Sequence, residues 1–329
     1  MSKISKYNKK LIAIDCGKAR TKVMVGIPGS TEVTTDTFDS TYREPDNESA
    51  ISEGRIQIEA LGIDAIIGHK KGNRTSSANS KADEKQKAIL YYAIARNVND
   101  GDFIDLVITI PISEYFNDDS FEKHIAMFTT KDSKLTLRID GVSKTITINS
   151  FNLRPECAGI IKNRAELFKD KDIILFDIGG LNCNTIAVED GVPNEDMRIT
   201  LNKVGSLEIR EDLKQELAAN GIAVKETLLN DIMLKGYYET TDEEKKKKSA
   251  EVVQNVYDKA VQYIVDDLSG REWAIMSDFD YIFIGGTSDL LRENILKHPK
   301  FAGKTTVLST DEARWATVKA ALDWLRTQV

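Results

Sequence analysis

Cysteine and histidine are scarce in this 329-residue chain, three of each. His69, His124 and His298 lie far apart, with no spacing that holds a metal, and each reads as an ordinary surface or core histidine. Cys16, Cys157 and Cys183 have no paired spacing, which argues against a disulfide framework and a zinc site and fits a reducing, cytoplasmic setting. Long hydrophobic runs are also lacking. Residues 11–14 are too few for the core of a signal peptide, and no stretch approaches the ~20 apolar residues of a membrane-spanning helix. Positive charge is not in excess: 45 Lys and Arg stand against 52 Asp and Glu, a net charge of −7. That disfavours non-specific nucleic-acid binding, which needs basic surface to displace counterions. If DNA is involved, an adaptor protein carries the contact.

What is present is an ordinary globular composition, 41% hydrophobic and 29% charged, over a length comfortable for two domains. Residues 11–14 read as a buried strand and 21–27 as its hairpin partner, with 15–20 as the turn. Residues 29–81 are polar and turn-rich, with short strand-like pieces at 55–58 and 65–67, and read as a small inserted subdomain. Helical spacing follows over 83–97, then an apolar strand at 105–110 that stops at Pro111. A short helix is expected within 116–128. Asp140-Gly141 marks a hairpin between 135–139 and 145–148. Residues 155–168 read as a helix, 172–177 and 183–188 as strands, and Asp190-Gly191 as the next turn. Amphipathic helices are expected over 206–219 and 241–268, the latter opened by a Thr241/Glu244 capping box. A strand at 280–284 and a helix over 311–327 complete the chain.

One unit occurs twice: an apolar strand, Asp, any residue, Gly, a turn, and a returning strand. It spans 11–27 and again 173–188, about half a chain length apart, which reads as a duplicated α/β architecture. In the first copy, Gly17 in a tight turn lets backbone N–H groups point at an anion, and Lys22 on the returning strand reaches the same place. Asp15 favours a phosphate only if Mg²⁺ and its waters lie between them. Alone, this is a surface hairpin. The second copy, Asp177-Ile-Gly-Gly-Leu-Asn-Cys-Asn184, changes the weighing, because two such turns facing each other would clamp a polyphosphate from both sides. A third piece, Gly285-Gly286-Thr287, lets a planar base or ribose lie against backbone; alone it is a strand-to-helix turn. The fourth is Leu153-Arg-Pro-Glu-Cys-Ala-Gly159. There Pro155 suits a first helical position and Glu156 a helix N-terminus, either as a helix-stabilising acid or as a carboxylate that positions an attacking water.

These four pieces, in this order, resemble the actin-like ATPase superfamily of actin, the heat-shock chaperone ATPases and the sugar kinases. Within it the chain is most similar to the ParM/StbA plasmid-segregation actins. That resemblance rests on Ile14-Asp-Cys-Gly with Lys22, on Val107-Ile-Thr-Ile-Pro-Ile-Ser-Glu-Tyr115, and on Phe176-Asp-Ile-Gly-Gly-Leu-Asn182. It extends from Leu11 to about Ala321. The fold implied is α/β, with two actin-like (ribonuclease-H-like) domains flanking a nucleotide cleft: residues 1–168 with 311–329, carrying the insert at about 29–81, and residues 169–310. By resemblance, Asp15 and Asp177 handle Mg²⁺ through its waters, and Gly17, Lys18, Lys22, Gly179, Gly180, Leu181 and Asn182 hold the phosphates. Glu156 takes the water-activating position, with Asp177 as its catalytic companion. Gly285, Gly286 and Thr287 line the adenosine side, and Gly205 and Ser206 form a further turn near the nucleotide. The chain departs from its relatives at Asn184, where many have an acid, at Lys18 and Arg20 in a turn often rich in Ser and Thr, and over 313–318, which lacks a glycine common there. These departures leave ATP against GTP open.

The function implied is a filament-forming ATPase that segregates plasmid or other extrachromosomal DNA, with hydrolysis driving disassembly. Its partners would be further copies of itself and a small ParR-type adaptor bound to a centromere-like DNA, and its ligands ATP (or GTP) and Mg²⁺. A sugar kinase of the same superfamily is the alternative. It needs a general-base Asp beside an acceptor pocket, and no motif here offers one that is not better explained elsewhere. A chaperone-like ATPase would carry a long C-terminal substrate domain, whereas this sequence stops just after its last expected helix.

Overall fold

Leu11-Ile-Ala-Ile is apolar at every position because both faces of its strand are covered. Ile12 and Ile14 pack in a core with Ile89, Ala93 and Ile94. Leu11 and Ala13 face the other way, into a cluster with Val318, Ala321, Leu322 and Leu325. A strand buried on both sides loses the alternation of a half-exposed one.

The computed structural model describes residues 9–45, 53–70, 72–74, 82–128, 134–270, 279–308 and 310–329. The first eight residues, and 46–52, 71 and 75–81 of the expected insert, lie outside them. The strands are β1 (Lys9–Cys16), β2 (Arg20–Gly26), β3 (Val33–Asp39), β4 (Thr41–Arg43), β5 (Arg55–Ile58), β6 (Ile63–Ile67), β7 (Asn73–Arg74), β8 (Phe103–Ile110), β9 (Lys134–Ile139), β10 (Val142–Pro155), β11 (Ile173–Ile178), β12 (Asn182–Glu189), β13 (Val192–Asn202), β14 (Asp280–Ile284) and β15 (Thr305–Val307). The helices are α1 (Glu84–Asn97), α2 (Ile112–Tyr115), α3 (Asp118–Ala126), α4 (Gly159–Asn163), α5 (Ala165–Phe168), α6 (Ser206–Ala219), α7 (Leu229–Lys235), α8 (Glu243–Ser269), α9 (Gly286–Leu290), α10 (Arg292–Lys297) and α11 (Thr310–Arg326).

The chain divides into two units, residues 1–165 with 315–329, and residues 166–314. The first is built on a ten-stranded sheet in the order β3-β2-β1-β8-β10-β9-β5-β6-β4-β7. The second is built on five strands in the order β13-β12-β11-β14-β15. The duplication read from sequence is therefore a repeat of topology. In each unit three antiparallel strands form a meander whose first strand then pairs parallel with a later one, β1 with β8 and β11 with β14. In the second unit Phe176 and Phe283 stack at 4.4 Å between ring centroids, with Phe301 edge-on to both.

Several local expectations change. Residues 155–168 are not one helix. β10 continues through Pro155, which needs no N–H at the end of the parallel ladder with β8, and only the short α4 and α5 follow. Glu156 accordingly does not sit at a helix N-terminus. The cap of α8 is Asp242, whose side chain accepts from Lys245 N–H at 3.0 Å. It displaces the Thr241/Glu244 box because a carboxylate caps better than a threonine hydroxyl. β3, β13 and β15 were not anticipated. β3 is a largely polar strand with Phe38 as its one buried residue, so neither alternation nor an apolar run announces it. The strands of residues 29–81 join the large sheet, β3 through β2 and β5 through β9. Asp140-Gly141 turns as expected, with φ of 50° and 85°, the primed geometry that matches strand twist.

Phe283→Ala is expected to destabilise the protein by about 3–5 kcal/mol, the usual cost of emptying a buried aromatic site. Val192→Thr, at the exposed tip of the β12–β13 hairpin, is expected to change stability by less than ~0.5 kcal/mol. Urea unfolding followed by circular dichroism measures both.

Candidate functional site

In the first unit the turn between β1 and β2 is held by buried polar contacts. Asp15 lies opposite Lys22 across the hairpin and opposite Thr109 across the parallel ladder. Lys22 Nζ lies 3.0 Å from one Asp15 carboxylate oxygen, and Thr109 Oγ1 donates to the other at 3.3 Å. The carboxylate is thus anchored at a strand end, 7% exposed. Below it, Ser40 Oγ donates to Gly17 O at 2.5 Å and lies 2.9 Å from Thr21 Oγ1, while Gln86 of α1 donates to Cys16 O at 2.8 Å. A Cβ on Gly17 would sit 2.7 Å from Arg20 O, closer than such contacts allow. Lys18, in the same turn, is buried.

Glu156 belongs to the same sheet. β1, β8 and β10 run parallel, with Asp15 level with Thr109 and Thr109 level with Arg154. Glu156 follows two residues later, its N–H donating to Ile110 O at 2.8 Å. With strands ~4.8 Å apart, its backbone stands about 10 Å across the sheet from that of Asp15, at the same strand ends.

In the second unit, three segments distant in sequence meet. Asp177 lies opposite Asn184, and Gly179 N–H donates to Asn182 O at 2.9 Å, closing the turn between β11 and β12. The start of α6 is fastened onto that turn. Ser206 and Leu207 N–H donate to Gly179 O and Gly180 O at 3.3 and 2.8 Å, and Gly205 N–H donates to Leu181 O at 3.2 Å. A Cβ on Gly205 would come 2.3 Å from Leu181 N, so only glycine permits the approach. From the other side Thr287 Oγ1 donates to Gly179 O at 2.7 Å. Gly285, at φ 90°, packs so closely that a Cβ would lie 2.4 Å from Ile178 O and 2.6 Å from Asp177 Oδ1. Gly286 is different: a Cβ there would meet nothing within 4 Å. Asn184, in place of an acid, is buried and accepts from Thr200 Oγ1 at 3.0 Å.

Asp177, Gly179, Gly180, Leu181, Asn182, Gly205, Gly285, Gly286 and Thr287 thus form one assembly, and Asp15, Gly17, Lys18, Lys22 and Glu156 lie at one end of the other sheet. Sequence reasoning missed Thr109, Ser40, Gln86 and Thr200. Thr109 had a signal, its place at the end of a buried strand just before Ile110-Pro111. The others had none, because they act by reaching across the fold. Burial pushes the Cys183 thiol up to about 12, with the nearby Asp177 charge adding to it and a Thr185 hydrogen bond opposing it. Burial thus favours the neutral thiol over the thiolate. Among the described residues no group of three or more His, Cys, Asp or Glu side chains is arranged to hold a metal, and no helix is long and apolar enough to cross a membrane.

Residues 13–159 match the family model of the N-terminal domain of actin-like proteins. Among solved structures, an archaeal actin homologue superposes with a TM-score of 0.76 at 14% identity, covering 97% of this chain and 100% of its own. The ParM of a 15-stranded filament from Clostridium botulinum gives 0.73 at 16% identity, covering 97% and 99%. The Alp12 filament gives 0.67 at 22%, covering 98% and 99%. The archaeal homologue is also known in complex with ADP. No curated protein sequence matches. The class follows: the chain has the actin-like fold, and residues 13–159 of its first unit are similar to the N-terminal domain of actin-like proteins. More particularly, the fold is the one found in the bacterial and archaeal actin homologues, ParM and Alp filament proteins among them.

Gly285→Ala and Gly286→Ala separate a glycine packed against backbone from one that faces open space. The first is expected to lower the melting temperature by several degrees, since its Cβ meets backbone at φ 90°. The second is expected to leave the melt unchanged while weakening binding of a fluorescent ATP analogue at least about fivefold. Thermal melts without nucleotide and a binding titration read the two effects.

Proposed function

We propose that this chain is an ATP-dependent, filament-forming actin-like protein of the ParM type that moves plasmid or other extrachromosomal DNA through an adaptor. The observation that carries the nucleotide part is the matched pair of turns. In two sheets that share a three-stranded meander and its parallel neighbour, the buried strand that begins the meander carries an Asp at its end, Asp15 in one and Asp177 in the other, followed by glycine and a returning strand. Backbone amides in such turns suit phosphate oxygens. Polymerisation and DNA transport draw support from the ParM and Alp12 filaments among the structural neighbours, and nucleotide binding from the ADP complex of the archaeal one. The net charge of −7 fits an adaptor-borne DNA contact.

The residues suit Mg²⁺ held in the manner typical of that ion, by one or two carboxylates with waters and phosphates rather than by an all-protein cage. Asp15 and Asp177 would each be such a carboxylate, acting through waters. Mg²⁺, when bound, neutralises developing charge on the polyphosphate. In this reading Gly17, Lys18, Gly179, Gly180, Leu181 and Asn182 bind the phosphates, Lys22 steadies Asp15, and Gly286 leaves room for the nucleoside. Glu156 orients the attacking water and accepts its proton.

Electron microscopy and pelleting with ATP and Mg²⁺ are expected to give filaments that disappear as nucleotide is consumed. Protein that stays monomeric at tens of micromolar, about the range of ordinary weak interfaces, would overturn polymerisation. Glu156→Ala is expected to slow hydrolysis by about 10²-fold or more, with nucleotide affinity little changed and filaments that persist. Asp177→Ala is expected to weaken Mg-nucleotide binding itself.

A further inference from the structure

The turn after β10 is conformationally expensive. Glu156 N–H continues the β8 ladder through Ile110 O, and Ala158 N–H donates back to Glu156 O at 2.9 Å. Between them Cys157 has φ 73°. A hydrogen bond from residue i+2 to residue i around a centre with positive φ is the strained form of the γ-turn, rare in folded chains. Four other non-glycine described residues have positive φ: Asp140, Asp170, Asp190 and Lys203. All four are exposed and three are aspartates, which tolerate this region. Cys157 is the buried one, 1% exposed, and it adjoins the carboxylate to which the hydrolytic step is assigned.

The two hydrogen bonds use both the N–H and the C=O of Glu156, so the backbone that carries its carboxylate is fixed on each side. The far end of the turn is fixed as well. Gly159 packs against α11 so tightly that a Cβ would stand 2.7 Å from Ala320 Cβ. Moving Cys157 to negative φ either breaks the Ala158–Glu156 bond or reverses the hand of the turn; in both cases the peptide that orients Glu156 turns, and its side chain, largely buried, has little room to compensate. Misplacing a reacting group by about 1 Å costs about 10²-fold in rate.

We propose that Cys157 is a positioning residue: its left-handed conformation closes the γ-turn that holds Glu156 in the geometry needed to orient the attacking water. The proposal rests on the hydrolytic role assigned to Glu156. The backbone does the holding, so substitutions that keep the turn keep the positioning.

Four variants of the full chain, with Glu156→Ala as a control, test this, with kcat for ATP hydrolysis read against the affinity for a fluorescent ATP analogue. Cys157→Gly and Cys157→Ala keep the turn accessible and are expected to hydrolyse ATP within about threefold of the parent. Cys157→Val puts a β-branched residue where positive φ is most disfavoured. Ala158→Pro removes the N–H that closes the turn and restricts the residue before it, while the φ of −66° at Ala158 already suits proline. Both are expected to lose at least about tenfold in kcat at unchanged nucleotide affinity. Ala158→Pro leaves the buried Cys157 volume untouched, so it keeps the test independent of any packing fault in the valine variant. Normal turnover in Ala158→Pro overturns the proposal, as does loss of turnover in Cys157→Ala and Cys157→Gly, which would assign the role to the thiol. If Glu156→Ala alone hydrolyses at the parent rate, the assignment of Glu156 fails, and the proposal with it; that result is distinct from normal turnover in Ala158→Pro beside an inactive Glu156→Ala.

Discussion

A strand covered on both faces can present chemistry only at its ends. β1 lies between the α1 core and the α11 cluster, and its side chains are committed to packing until the chain leaves the sheet. The first carboxylate it presents is Asp15, at its C-terminal end, with the turn following it. β11 meets the same limit at Asp177. Parallel pairing then lines up the ends of neighbouring strands, which is why Thr109 and the end of β10 arrive beside Asp15, and Gly285 beside Asp177. Open parallel sheets gather their functional residues at such edges for this geometric reason.

The two edges are built differently. In the first unit side chains do the holding, with Thr109 and Lys22 on Asp15 and Ser40, Thr21 and Gln86 beneath the turn. In the second, backbone packs on backbone. Gly205 and Gly285 let two remote segments approach to distances that a methyl group forbids, and the first amides of α6 are spent on the turn's carbonyls. Glycine costs conformational entropy in the unfolded chain, and the close assembly it permits offsets that cost. Gly286 and Gly285 are adjacent and both glycine, yet one faces open space and the other a carboxylate and a carbonyl.

Buried backbone strain falls in the turn beside Glu156. The exposed positive-φ residues sit in hairpins or loops, where aspartate or solvent accommodates them. Cys157 has neither relief, being buried and without a side-chain oxygen to bond its own backbone. Strained backbone persists where the surrounding structure over-determines it, and here β8 on one side and α11 on the other do so.

The duplicated strand–turn–strand units were legible in the sequence because they are local. An apolar run, an Asp, a glycine and a returning strand lie within about twenty residues, and burial on two faces leaves no alternation to confuse the reading. The Asp140-Gly141 and Asp190-Gly191 turns were legible for the same reason. The polar strand β3, the length of β10, and the partners Thr109, Ser40 and Gln86 were not, because hydrogen bonds between segments far apart in the chain create them. Pro155-Glu156 shows the boundary well. By local preference the pair reads as a helix start, yet the ladder to β8 kept it in the sheet. Sequence alone determined which residues could end the buried strands, since side-chain volume and polarity dictate that. Only tertiary structure decided which of them meet and which glycines are indispensable, since both depend on where other backbone lies.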